Sequence, residues 1–140
     1  FVFPISKLKG YDISYSGVKT AFINFINKEE QKNLNFVKNH INDLCASLQY
    51  TLVQIILNKI ENTAKDFNLN QIVIGGGVSA NSEIRKQLLN RKKSKRWEVF
   101  LPLKEYTTDN AAMIGIAGYY KLKYRQYGNI TENSQARLKI

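Results

Sequence analysis

Residues 71–81, QIVIGGGVSAN, constrain this chain more than any other stretch. A short apolar run with β-branched residues reads as a buried strand. It passes directly into Gly75, Gly76 and Gly77, and a helical pattern resumes at Ser82. Glycines at such a junction leave backbone bare where a ligand can approach closely. The helix start beyond them offers unpaired N–H groups and a partial positive charge to an anion. The same spacing also describes a tight strand-to-helix turn needing positive φ, with Asn81 as an ordinary helix cap. Neither the dinucleotide fingerprint G-x-G-x-x-G nor the P-loop pattern is present, so the residues alone leave cradle and turn both open.

The flanking sequence supplies the rest of an α/β unit. A helix is expected over residues 82–90, a second short strand over 97–101 (WEVFL) closed by Pro102, and a further helix from about Thr108. That last helix would hold Asp109 in its first turn and have 111–124 as its body. Upstream, Phe36, Ile41, Leu44, Leu48, Leu52, Ile55, Ile56 and Ile60 recur at three- and four-residue spacing across 35–67, a helical pattern long enough to be two helices. Another helix starts near Ser16, with Val18, Ala21, Phe22 and Phe25 on one face. Residues 1–15 read as extended or loop, and the polar tail from Gln126 as irregular. The order helices, strand, glycine turn, helix, strand, helix argues for an α/β lobe. We divide it into a mainly helical segment (1–70), a strand/helix unit (71–126) and a tail (127–140).

Charge narrows the partners. The 140 residues hold 21 Lys+Arg against 11 Asp+Glu, a formal charge of +10. Residues 1–69 contribute +2 of it and 70–140 contribute +8. An anionic partner follows: nucleic acid, a nucleotide or an anionic surface. Lysine outnumbers arginine 16 to 5, a bias that makes any single lysine weak evidence. Cys45 is the only cysteine and His40 the only histidine, so no disulfide framework and no Cys/His zinc site can form within this chain. A reducing compartment, the cytoplasm or an organelle of a eukaryote, is the natural setting. No apolar run approaches the roughly 20 residues of a membrane span, so no membrane partner is expected. A start at Phe1 and the absence of a signal pattern read as a fragment.

Three further stretches carry candidate chemistry. TTDNAAMIGIAG, 107–118, places Asp109 near a helix start, where capping is the ordinary role and metal ligation needs partners this chain does not supply. DISYSGVKT, 12–20, sets two hydroxyls, a glycine and a lysine at a helix start, with Ser14 or Ser16 as a cap or a polar ligand site. The basic run of Arg85, Lys86, Arg91, Lys92, Lys93, Lys95 and Arg96 is equally a solvated helix face and a nucleic-acid contact.

Taken together and in this order, DISYSGVKT, GGGVSANS-x-hydrophobic-R and TDNAAMIG-x-AG resemble the C-terminal half of the tRNA threonylcarbamoyladenosine synthase (TsaD) family, formerly described as O-sialoglycoprotein endopeptidase (Gcp). The resemblance runs from about Asp12 to Gly118. It implies the C-terminal lobe of an actin-like ATPase fold (the ASKHA class, ribonuclease H-like), here with a helical segment before the strand–GGG–helix unit. In that family the turn matched by Gly75, Gly76 and Gly77 contacts the adenosine part of the bound nucleotide. Asn81 matches a substrate-contacting asparagine, and Asp109 matches the aspartate that coordinates a divalent metal, iron or zinc. The family's other metal ligands, two histidines of an H-x-x-x-H helix, belong to its N-terminal half. His40 has no partner four residues away. Residues 14–19 match a further family signature.

The reaction implied is transfer of a threonylcarbamoyl group from its adenylate to the exocyclic amine of adenosine 37 in tRNA, with other subunits of a modification complex as partners. Polarisation of the carbamoyl carbonyl and stabilisation of the leaving AMP fit a Lewis-acidic metal and glycine-loop donors. Arg85, Lys86, Arg91, Lys92 and Lys93 are the candidate tRNA contacts. As an incomplete C-terminal part, the isolated chain is expected to be inactive. Two other readings stand beside this one: a non-catalytic actin-like scaffold that pairs with a true transferase, and an actin-like ATPase or kinase lobe using the glycine turn for ATP. An aspartate retained at 109 argues against the scaffold. The endopeptidase label finds no dyad and no H-E-x-x-H here.

Overall fold

The computed structural model describes residues 1–5 and 8–133. Its order is α1 (Ser16–Glu30), α2 (Phe36–Asp66), β1 (Gln71–Val73), α3 (Ser82–Ser94), β2 (Glu98–Phe100) and α4 (Ala111–Lys123), with single 3₁₀ turns at Gly77–Ala80 and Lys104–Tyr106. The architecture is mixed α/β, rich in helix, with β1 and β2 paired in parallel. Their register sets Gln71 opposite Glu98, Ile72 opposite Val99 and Val73 opposite Phe100. The expected tail lies partly outside the described residues.

The long helix α2 is the spine. One side of it meets α1 through Ile55, Leu48 and Leu52, which pack on Phe3, Val18, Phe22 and Phe25. Another side meets α3 and the sheet through Val53, Leu57 and Ala64, against Ile84, Leu88 and Trp97. Leu57 and Leu88 are both 0% exposed, the innermost contact of this second cluster. A helix that packs on two sides needs apolar residues over more than one narrow stripe, and the dense three- and four-residue recurrence supplies them. The length of α2 hides a break: His40 has φ −121° and ψ 17°, outside the helical region. Its ring packs on Phe36, with centroids 4.7 Å apart, and edge-on to Phe1.

Three expectations change. Residues 71–74 do not form a buried strand. Ile72, Ile74, Val99 and Leu101 face the α2–α3 cluster, while Val73 is 74% exposed and Phe100 also turns outward. Strand side chains alternate between faces, and a two-stranded sheet with helices on one side covers only one of them. Helix α3 runs four residues past Asn90, to Ser94, and terminates where Arg96 takes φ 55°. Helix α4 begins at Ala111, so Asp109 is not in its first turn. Asn110 is the cap, its Oδ1 accepting from the Met113 N–H at 2.9 Å.

Polar contacts lock α3 onto α2. The Arg91 Nε donates to Glu61 Oε1 at 2.6 Å, and Lys95 Nζ donates to Glu61 Oε2 at 2.7 Å. The bond from Lys95, with the Arg91 bond and both positive charges, holds the Glu61 carboxyl below its ordinary value near 4.5, although burial pushes it the other way. A carboxyl so depressed adds stability that is complete above that ordinary value and is lost as pH falls through the lower folded value. Glu61→Gln is therefore expected to cost about 1–2 kcal/mol near neutral pH. The deficit should shrink in unfolding curves collected at progressively lower pH below that ordinary value.

Candidate functional site

The glycine turn is built by competition between backbone and side chain. Gly76 takes φ 73° and ψ 174°, a region essentially closed to residues with a Cβ. That reversal lets the Ser79 N–H and hydroxyl both donate to the Gly76 carbonyl, at 3.0 and 2.7 Å. Ser79 is buried by the closure. Asn81 then opens α3, its Oδ1 accepting from the Glu83 and Ile84 N–H groups at 3.0 and 3.1 Å. The cap and the turn are thus one piece of backbone, and the capping reading of Asn81 describes its oxygen. The Asn81 side chain also borders the groove described next.

Beside the turn lies a groove of about 470 Å³ between α2 and the start of α3. Its floor is apolar, Leu48, Leu52, Val53, Ile56 and Ile84, and its rim holds Tyr15, Cys45, Gln49, Gly77 and Asn81. A second hollow of about 380 Å³ continues past Val78 to Gly75 and Ile74, sharing Tyr15, Ile56, Val78 and Ile84 with the first. Positions where a Cβ of Gly75, Gly76 or Gly77 would stand have no atom within 4 Å. The turn is therefore open on its Cβ side, and Gly77 and Gly75 border the two hollows. An apolar floor with a polar, amide-lined edge suits a flat ring whose margin carries hydrogen-bonding groups. Burial pushes the Tyr15 phenol up from its ordinary value, and its ring stands at the rim as a donor or a stacking face. Tyr15 was legible in the motif DISYSGVKT only as a neighbour of candidate serines. Neither serine caps α1: Tyr15 occupies the cap position without a side-chain bond, and among the described residues Ser14 Oγ accepts only from Ser16 N, at 3.3 Å.

The remaining candidates divide. Asp109 is exposed, follows the 3₁₀ turn at Lys104–Tyr106, and has no hydrogen bond to its carboxylate among the described residues. Because Asn110 does the capping, that carboxylate is left for other work. No group of three His, Cys, Asp or Glu able to hold a metal occurs among the described residues. One carboxylate does not make a metal site, so these residues alone do not fit an iron or zinc centre. Of the basic run, Arg91 is held by Glu61 and by Gln87. Arg85 donates to the carbonyls of Ser79 and Pro102. Lys86, Lys92 and Lys93 are exposed. No helix among the described residues is long and apolar enough to cross a membrane.

The three glycines can be separated by substitution. Gly76→Ala is expected to cost about 1–3 kcal/mol, because alanine must adopt a conformation that only glycine holds cheaply. Gly75→Ala and Gly77→Ala should leave the unfolding midpoint nearly unchanged, since their added methyls meet open space. Urea unfolding of the three variants side by side checks this ordering.

Comparison with known proteins places the chain in a family. The model for TsaD, tRNA N6-adenosine threonylcarbamoyltransferase, matches residues 1–116. A tRNA N6-adenosine threonylcarbamoyltransferase of Christiangramia forsetii is 42% identical over 140 residues, all of this chain and 41% of the relative. One from Riemerella anatipestifer is 41% identical with the same coverage, and one from Endomicrobium trichonymphae is 45% identical over 117 residues, 83% of this chain and 33% of its own length. The chain thus spans about two fifths of the first two relatives.

Proposed function

The chain belongs to the TsaD family of tRNA N6-adenosine threonylcarbamoyltransferases, and on that premise we propose that it forms the C-terminal, donor-binding part of an enzyme that transfers a threonylcarbamoyl group from its adenylate to the N6 amine of a tRNA adenosine. The fold we assign to that part is an actin-like lobe. One observation carries the reading: the glycine turn presents unobstructed backbone at the edge of an apolar groove, where the family motif puts adenosine. The adenine ring lies on the floor formed by Leu52, Val53 and Ile56, and Asn81 and the Gly75–Gly77 amides meet its polar margin and the groups attached to it. The amides at the start of α3 add a positive end to the field in which the leaving phosphate develops charge. Bringing both substrates together in a fixed pose supplies much of the acceleration of any group transfer.

We assign Asp109 as one ligand of a divalent metal, with its companions outside this sequence. Transfer measured with the full-length protein, the adenylate donor and unmodified tRNA tests the reading. Asp109→Ala in that protein should reduce bound metal and abolish transfer, while its unfolding temperature matches that of the metal-stripped wild type, because the side chain is exposed and caps nothing. Full activity in that variant would overturn the assignment.

The tRNA contact is assigned to Lys86, Lys92 and Lys93: Lys92 and Lys93 have no ion-pair partner among the described residues, Lys86 Nζ lies 4.0 Å from Glu83 Oε2 at the surface, and Arg85 and Arg91 are committed to protein partners. Each lysine that neutralises a phosphate releases counterions. The double variant Lys92→Ala/Lys93→Ala is expected to weaken tRNA binding and to reduce the slope of log affinity against log salt by about 1.5 to 2. Donor KM should be unchanged. The cytoplasm, where tRNA modification meets its substrate, is the compartment we propose.

A further inference from the structure

Arg85 stands at the fourth position of α3, one turn from the helix start. A cation there opposes the helix dipole, which favours negative charge in the first turn. Something must offset that conflict, and the guanidinium shows what does. Its Nη1 donates to the Ser79 carbonyl at 3.0 Å and its Nη2 to the Pro102 carbonyl at 2.8 Å. The first acceptor belongs to the glycine turn that leaves β1, and the second to the segment that leaves β2.

Both acceptors lie in braced backbone. Ser79 is tied twice to the Gly76 carbonyl. Beyond Pro102, the Tyr106 N–H donates to the Leu103 carbonyl, and the buried Thr107 donates its N–H and hydroxyl to the Lys104 carbonyl. This internally bonded stretch ends two residues before Asp109. A displacement at Pro102 is therefore carried to Asp109 rather than absorbed by a slack loop. We propose that Arg85 is a positioning residue: its guanidinium sets the spacing between the glycine turn that receives the donor and the braced loop that bears Asp109.

The fork geometry is the reason for arginine. Two separate N–H groups of one planar cation reach two carbonyls at once, while lysine carries one compact ammonium on a flexible stem. The positioning role rests on the donor-binding reading above for its consequence in catalysis, but not for the tie itself.

The test is Arg85→Lys, with Arg85→Gln beside it, in the full-length protein. Steady-state transfer is measured with donor and tRNA varied in turn, and amide hydrogen exchange is followed over residues 77–81 and 102–109. The expected result is a donor KM raised about tenfold in both variants, faster exchange in both segments, and an unchanged KM and salt slope for tRNA. A loss of global stability alone would lower the active fraction, and hence kcat, without moving donor KM. Wild-type donor KM with wild-type exchange would overturn the inference. So would a raised tRNA KM with a shallower salt slope, the signature of a phosphate contact. If the unaltered protein transfers nothing to tRNA, the functional reading fails. The exchange data then still decide whether Arg85 ties the two segments.

Discussion

Burial of Leu57 against Leu88 and Ile84 is the contact on which the rest of the site depends. It fixes α3 on the flank of α2, and the start of α3 fixes Asn81 and the turn before it. The groove is the space that this packing leaves between the two helices, floored by the next residues along α2. Protein interiors are packed too densely for such a contact to shift without moving its neighbours. The ion pairs from Glu61 to Arg91 and Lys95 act at the far end of α3, where apolar contact thins and charge takes over. Apolar residues near the glycine turn and charged ones near the exit thus divide the work along one helix.

The same packing explains why so polar a run of sequence can sit over a core. The basic residues of α3 are not equivalent. Arg91 is partly covered, with a side chain 19% exposed, and is matched by a carboxylate thirty residues away. Arg85 spends its charge on two carbonyls. Lys92 and Lys93 remain in solvent. A helix end with this split serves structure on one side and leaves a positive surface on the other.

Two apolar surfaces have no cover among the described residues. One is the outer face of the sheet at Val73 and Phe100. The other is α4, whose Met113, Ile114, Ile116, Tyr119 and Leu122 are all exposed, Ile114 to 68%. Parallel strands are ordinarily covered on both faces, and a helix apolar on every side is ordinarily buried. The chain spans about two fifths of the relatives of Christiangramia and Riemerella, and surfaces of this kind are what a larger protein closes over. Small residues of α4, Ala111, Ala112, Gly115 and Gly118, are those that let a helix approach another element closely.

Much of this was written in local sequence. Helical recurrence located α1 and α2, the β-branched run and three glycines located the strand and its turn, and Asn81 marked the start of α3. The joint occurrence and order of the three motifs pointed to the family. Other features depended on residues far apart in the chain. Adjacent Asp109 and Asn110 are both competent caps, and only the folded backbone chose Asn110, freeing the aspartate. An apolar tetrapeptide reads alike whether one face or both are covered, so the exposure of Val73 depended on what lies against the sheet. A run of basic residues looks uniform until Glu61 and the carbonyls of Ser79 and Pro102 come within reach. Short-range periodicity and turn chemistry belong to the sequence by itself. Which charges are consumed, which face is covered and which carboxylate is left free were decided by tertiary structure, because each depends on a partner that the chain brings close only by folding.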